Sequence, residues 1–121
     1  MSKVLVGLII GLGVAATANA QDAKVARGEK VYAANCVVCH QASGQGSPAI
    51  KAPALAGNKL VLGAEQGPID TVLNGRPNTA MQAFKGQLSD TDIAAVITFA
   101  RRSFGNKASD VQPAEVKARR K

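Results

Sequence analysis

Three stretches of the chain carry a readable pattern of apolar and polar positions. Val4 to Ala18 is an almost unbroken apolar run behind Met1-Ser2-Lys3. Over residues 22–32, Val25, Gly28, Val31 and Tyr32 recur at helical steps, with Lys24, Arg27, Glu29 and Lys30 between them. The third stretch is the strongest helix: Ile93, Val96, Ile97 and Ala100 mark one face, which Phe99 broadens. Ser89 is its expected N-cap, with Asp92 in a near capping-box position; Arg101 and Arg102 suit the last turn, and Gly105 is the expected stop.

Between these stretches, residues 41–58 and 76–87 are rich in Gly, Pro, Ser and Asn and read as loops. Residues 59–74 suit one or two short helices, with Pro68 in the first turn of the second and Gly75 at its end. No repeat and no two-residue alternation occurs, so the expected fold class is all-α.

The first apolar run, with its positive start and the small-x-small site Ala18-Asn19-Ala20, reads as a secretory leader over residues 1–20, cut after Ala20. The competing reading is an uncleaved anchor, but the run falls short of the ~20 residues a bilayer-spanning helix needs. Export places the mature protein in the periplasm, as one domain over 21–108 followed by a basic tail, 109–121. The tail offers only Val111 and Val116 as apolar groups, with Pro113 placed to start a short helix through Lys117. It reads as a solvated, partly disordered end, with a partner-docking arm as the alternative. Of 15 Lys and Arg against 8 Asp and Glu, only Lys3 lies in the leader, leaving a mature formal charge of +6. That charge favours acidic protein partners. Nucleic acid is disfavoured by the compartment and by the scatter of the basic residues along the chain.

Two cysteines in an exported protein ordinarily suggest a disulfide, but here they form Cys36-Val37-Val38-Cys39-His40. This is the spacing of a c-type haem attachment site. Two thiols two residues apart reach the two vinyl groups of one porphyrin, and the following imidazole is directed at its iron. A structural zinc site needs about four ligands, and the chain has two Cys and one His. A thioredoxin-like pair needs a βαβ context that the pattern lacks, and a local disulfide leaves His40 unexplained. The expected cofactor is one covalent haem c, with His40 as one metal ligand.

Scarcity narrows the opposite iron ligand. There is no second histidine, and once Met1 leaves with the leader Met81 is the only methionine. Met81 falls in the loop before the last strong helix and is the preferred second metal ligand. An open sixth position, or nitrogen from Lys85 or another lysine, stays as the alternative. A His/Met pair raises the reduction potential, and a six-coordinate iron transfers electrons rather than binding substrate.

With the haem motif, a mid-chain proline and a late methionine in place, residues 23–105 resemble a class I c-type cytochrome, both the small bacterial monohaem proteins and the domains fused to oxidases and dehydrogenases. The resemblance implies a cytochrome c fold: three to four helices around one haem, with the N- and C-terminal helices crossing. It implies that Gly28 and Tyr32 meet Val96 and Phe99 at that crossing. It implies that Pro53, in Pro53-Ala54-Leu55, offers its carbonyl to the His40 Nδ1 proton, and that Leu55 lines the proximal side. Met81-Gln82-Ala83-Phe84 departs from the family's frequent Met-Pro-x-Phe, so the methionine loop lacks a stiffening proline. Arg76 matches a position that pairs with a haem propionate, a solvated arginine being the other reading.

The expected function is a non-enzymatic electron carrier between a dehydrogenase or quinol-oxidising complex and a terminal oxidase or reductase. It is expected as a free monomer or as a subunit of such a complex, with no stable membrane insertion once the leader is cut. Lys51, Lys59, Arg76 and Lys85 are candidates for a cationic rim around the haem edge. A peroxidase needs a distal acid–base group, and a gas sensor needs an open ligand position and an output domain. The sequence offers none of these.

Overall fold

The structure is a computed structural model that describes residues 4, 7, 10, 11 and 19–121. The expected leader therefore lies almost entirely outside the described residues. No described helix is long and apolar enough to cross a membrane.

The described chain is helical, with no strand among its residues. Six helices follow in order: α1 (Ala20–Asn35), α2 (Val37–His40), α3 (Lys59–Leu62), α4 (Gln66–Asn74), α5 (Asp90–Arg102) and α6 (Pro113–Arg119). Helices α3 and α4 are the two short helices that residues 59–74 suit, and the three to four expected helices are exceeded by α2, a single turn that pattern reading absorbs into α1, and by α6, which starts at Pro113 as its position suggests.

Helix α1 starts at an Asn19 side chain that accepts from the Asp22 N–H at 2.8 Å. It runs past Tyr32, and a one-residue break at Cys36 separates it from α2. Helix α5 is N-capped by Ser89, whose Oγ accepts from the Asp92 N–H at 3.1 Å. The Asp92 carboxylate does not complete a capping box; it pairs with Arg27 Nε of α1 at 2.7 Å. The helix ends at Arg102, before Gly105. Phe104 (φ 60°) and Gly105 (φ 81°) then form a left-handed turn.

Helices α1 and α5 cross in backbone contact. A Cβ at Gly28 would fall 2.0 Å from the Ala95 carbonyl oxygen and 2.7 Å from Phe99 Cβ. Tyr32, Phe99 and Phe104 cluster beside this crossing with ring centroids 5.3–5.5 Å apart. That spacing suits tilted and edge-to-face aromatic packing.

Helix α5 is buried on more than its apolar stripe. Thr98 and Arg101 are as hidden as Ile93 and Ile97, because the segment after α5 folds back over them. Thr98 Oγ1 donates to the Val111 carbonyl at 3.3 Å and accepts from its N–H at 3.0 Å. Arg101 donates to the carbonyls of Val61 (2.7 Å), Gly63 (2.9 Å) and Ser109 (2.8 Å), and to Ser109 Oγ at 3.0 Å. The expectation of a solvated, partly disordered tail is thus corrected. Val111 and Val116 are both 0% exposed, and α6 packs on α4 and α5. A true capping box at Gln112 and Glu115 starts α6, and Lys24 of α1 reaches back to the Val111 carbonyl at 2.9 Å.

The outer end of α6 is tied to α4 by Arg119, whose Nε lies 2.8 Å from Asp70 Oδ1. This guanidinium holds the Asp70 carboxyl below the ordinary carboxylate range. A depressed carboxylate pKa stabilises the fold above the unfolded-state value, and the contribution is lost as pH falls through the folded-state value.

Two predictions follow from this packing. Gly28→Ala, although alanine is the better helix former, lowers stability by about 3 kcal/mol in thermal unfolding of the haem-loaded protein, since α1 must move off α5. An unchanged or raised Tm contradicts the backbone contact. Arg119→Ala lowers Tm at pH 5–7, and the gap to the unaltered protein closes as pH drops below about 4. A gap that persists in acid rules out the Asp70 pair as its source.

Candidate haem site

The α1–α5 crossing fixes the end of α1, and with it the Cys-x-x-Cys-His segment, against one wall of a cavity of about 710 Å³. That lies in the roughly 300–1,000 Å³ range of cofactor clefts. Tyr32, Cys36, Cys39 and His40 form the first wall. Ile50 to Leu55 and α3 close the next side, α4 contributes Pro68, Thr71 and Val72, and α5 contributes Val96, Ile97 and Ala100. Arg76 to Gln82, with Phe84, complete the lining. Cys36, Cys39, His40, Pro53, Leu55, Arg76 and Met81, though spread over 46 residues of sequence, therefore share one cavity.

Its walls are mostly apolar, and no described acidic residue lines it. Lys51 and Arg76 are its cationic lining residues, and neither forms an ion pair among the described residues. Lys59 and Lys85 lie outside the lining, next in sequence to the lining residues Asn58, Leu60 and Phe84.

His40 is held by its ring. Nδ1 lies 2.9 Å from the Pro53 carbonyl, which can only accept, so the proton resides on Nδ1. Nε2, on the other side of the ring, is left as the nitrogen that can bind a metal. The chain turns sharply just after it, with Gln41 at φ 68°. That strained residue is braced by the Tyr32 hydroxyl, which donates to its carbonyl at 2.5 Å. Burial pushes Tyr32 up to about 12 and the Cys36 thiol up to about 11, with the Cys39 sulfur adding to the latter. Both are neutral near pH 7.

The Met81 segment is pinned through its backbone rather than by a proline. Arg76 N–H donates to the Met81 carbonyl at 3.0 Å, Phe84 N–H to Val72 at 2.9 Å and Lys85 N–H to Leu73 at 3.2 Å. Gly75, at φ 68°, permits this fold-back, since a Cβ there would meet the Met81 carbonyl oxygen at 2.5 Å.

Sequence reasoning missed the supports of the opposite side. Asn106 is 5% exposed. Its Nδ2 donates to the carbonyls of Leu55 (3.0 Å) and Ala100 (2.8 Å), while its Oδ1 accepts from the Gly57 N–H at 2.8 Å. The Pro53–Leu55 segment is thereby fastened to α5. A lone Asn after a helix end carries no local signal for that role.

Two thiols and an imidazole oriented through its Nδ1 on one wall, a thioether on another, and apolar sides between them fit a covalently held haem. A cluster of three or more His, Cys, Asp or Glu able to hold a metal by side chains alone is absent among the described residues. An all-helical fold around such a cavity defines a small c-type cytochrome domain. Residues 23–99 match the family described as cytochrome c oxidase, cbb3-type, subunit III, and the chain belongs to that family of c-type cytochromes, whose cofactor is covalently bound haem c.

Among related proteins, the cbb3-type cytochrome c oxidase subunit FixP of Bradyrhizobium sp. (strain ORS 278) is 34% identical over 88 residues, covering 72% of this chain and 30% of the relative. The cytochrome c subunit of the quinone alcohol dehydrogenase of Gluconobacter oxydans (strain 621H) is 35% identical over 101 residues, 70% of this chain and 21% of the relative. Cytochrome c6 of Leptolyngbya boryana is 38% identical over 80 residues, 64% of this chain and 89% of the relative. The chain thus spans less than a third of the FixP and dehydrogenase subunits, and most of the length of cytochrome c6.

Proposed function

We propose that this protein is a periplasmic one-electron carrier, delivered by a leader over residues 1–20, that passes electrons from a dehydrogenase or quinol-oxidising complex to a terminal oxidase or reductase without bond chemistry of its own. Haem c supplies an iron that cycles between ferrous and ferric states. In this reading Cys36 and Cys39 form the two thioethers, and His40 and Met81 are the axial ligands. Pro53 fixes the His40 ring through its carbonyl, and Leu55 packs on the proximal side. Arg76, with Lys51, neutralises the propionates and helps to form a cationic docking rim.

The observation that carries the reading is the composition of one cavity wall against another: a ring-oriented His40 on one segment, Met81 on an independent one, and no acidic group among the described lining residues. Such a site saturates an iron and gives a peroxide or a gas nothing to bind or be protonated by. The relatives named as oxidase and dehydrogenase subunits favour a second arrangement, in which the same domain works as a part of such a complex.

The haem-loaded protein is expected to be low-spin in both redox states, with a far-red sulfur–iron band when ferric and no carbon monoxide uptake near neutral pH. Met81→Ala abolishes that band and admits carbon monoxide. High-spin iron, or carbon monoxide binding by the unaltered protein, overturns the carrier reading. The rim is tested by stopped-flow oxidation with ferricyanide, an anion. Lys51→Glu with Arg76→Glu slows it about tenfold at low ionic strength, and the difference fades by about 0.5 M salt as the charges are screened. Equal rates at every salt concentration remove these two residues from the rim.

A further inference from the structure

The family match stops at residue 99, yet the chain continues into α6, whose end reaches the loop that carries Met81. The geometry points to α6 as a strap across the loop that carries Met81, with Arg120 as the positioning residue that keeps that loop closed. The inference rests on Met81 as an iron ligand.

The loop leaves α4 at Asn74 and enters α5 at Asp90, and α6 reaches the second of these places. Arg119 grips Asp70 of α4, while Arg120 Nε meets Asp90 Oδ1 at 2.8 Å. The same Arg120 guanidinium spreads over the loop's far half, Nη1 donating to the Lys85 carbonyl at 2.5 Å and Nη2 to the Leu88 carbonyl at 3.1 Å. One planar cation therefore joins two loop carbonyls to the carboxylate that begins α5, a three-way fork only arginine can make. Its own position is fixed from behind. The Arg120 N–H donates to Val116 and Lys117 at 3.1 and 3.2 Å, and Val116 is a fully buried anchor.

On the cavity side, the loop has backbone bonds from Arg76 to Met81 and from Phe84 to Val72, with no proline to stiffen Met81-Gln82-Ala83-Phe84. Opening of residues 81–88 as one stretch frees Met81 to swing off the iron. That opening breaks the Arg120 contacts. The strap does at a distance what the missing proline does locally elsewhere in the family.

The test uses the full-length, haem-loaded ferric protein with imidazole as the probe, since imidazole binds only when the sixth position is vacated. Arg120→Ala is expected to raise apparent imidazole affinity about tenfold or more, the loss of hydrogen bonds to a charged donor being paid on opening. It also speeds amide hydrogen exchange over residues 81–88. Arg119→Ala, on the same helix but off the loop, leaves imidazole affinity within about twofold. Arg120→Lys keeps the charge yet cannot fork across both carbonyls. It gives an intermediate rise, and it carries the test should the alanine variant not accumulate as folded holoprotein.

Unchanged imidazole affinity in the Arg120 variants, or an equal rise in Arg119→Ala, overturns the strap. A far-red band that survives Met81→Ala instead overturns the ligand assignment, and the strap with it. A band that depends on Met81 alongside indifferent Arg120 variants defeats the strap alone.

Discussion

The contact on which the rest of this structure depends is the one between Gly28 and the Ala95 carbonyl. With no Cβ between them, α1 and α5 meet backbone to backbone, and the end of α1 is then fixed in both position and rotation. Because Cys36, Cys39 and His40 follow directly, their placement against the cavity is set by a contact two turns upstream. Side-chain packing is adjustable by rotamer changes, whereas backbone contact is not. A site that must hold two thiols and an imidazole in register benefits from the stiffer constraint.

The cavity's remaining walls are irregular chain, and irregular chain needs its polar groups satisfied from elsewhere. Helix α5 and the turn that follows it supply much of this. Arg101 caps the end of α3 by taking the Val61 and Gly63 carbonyls, and Asn106 collects the Leu55 carbonyl and Gly57 N–H. Arg101 carries a buried positive charge with no carboxylate in direct contact among the described residues. Its balance comes through Ser109, whose hydroxyl donates to Glu65 at 2.8 Å, and from carbonyl dipoles at the ends of short helices. The haem pocket is thus supported by a polar layer one shell farther out, built on a helix the pattern marks only for its apolar stripe.

Sequence order explains which parts were legible. The haem motif is local, five consecutive residues whose chemistry needs no tertiary context. Helices α1 and α5 announce themselves by period, and Met81 stands out as the one methionine besides Met1. Pro113 marked the start of α6, but its burial was not legible, because Val111 and Val116 stand five apart and form no stripe, yet both join the core cluster with Ile69, Leu73, Ile93 and Ile97. The single turn α2 is too short for any period to register. The Arg120 fork joins positions 30 to 35 residues apart, and no local pattern encodes such a contact. Tertiary partners decided those cases, and propensity decided the others.

The buried acceptors around Arg101 and Thr98 also set an order of events in the life of the chain. Thr98 finds its partner at Val111 and Arg101 finds two of its acceptors at Ser109, so helix α5 cannot be buried until the segment after it exists. A chain emerging from its N-terminal end, at synthesis rates of about 5–20 residues per second, reaches that point only when almost all of it is available. Until then the Arg101 guanidinium would have to be hidden without its two Ser109 acceptors, which is costly. The last dozen residues thus set when helix α5, and the cavity wall it forms, can close.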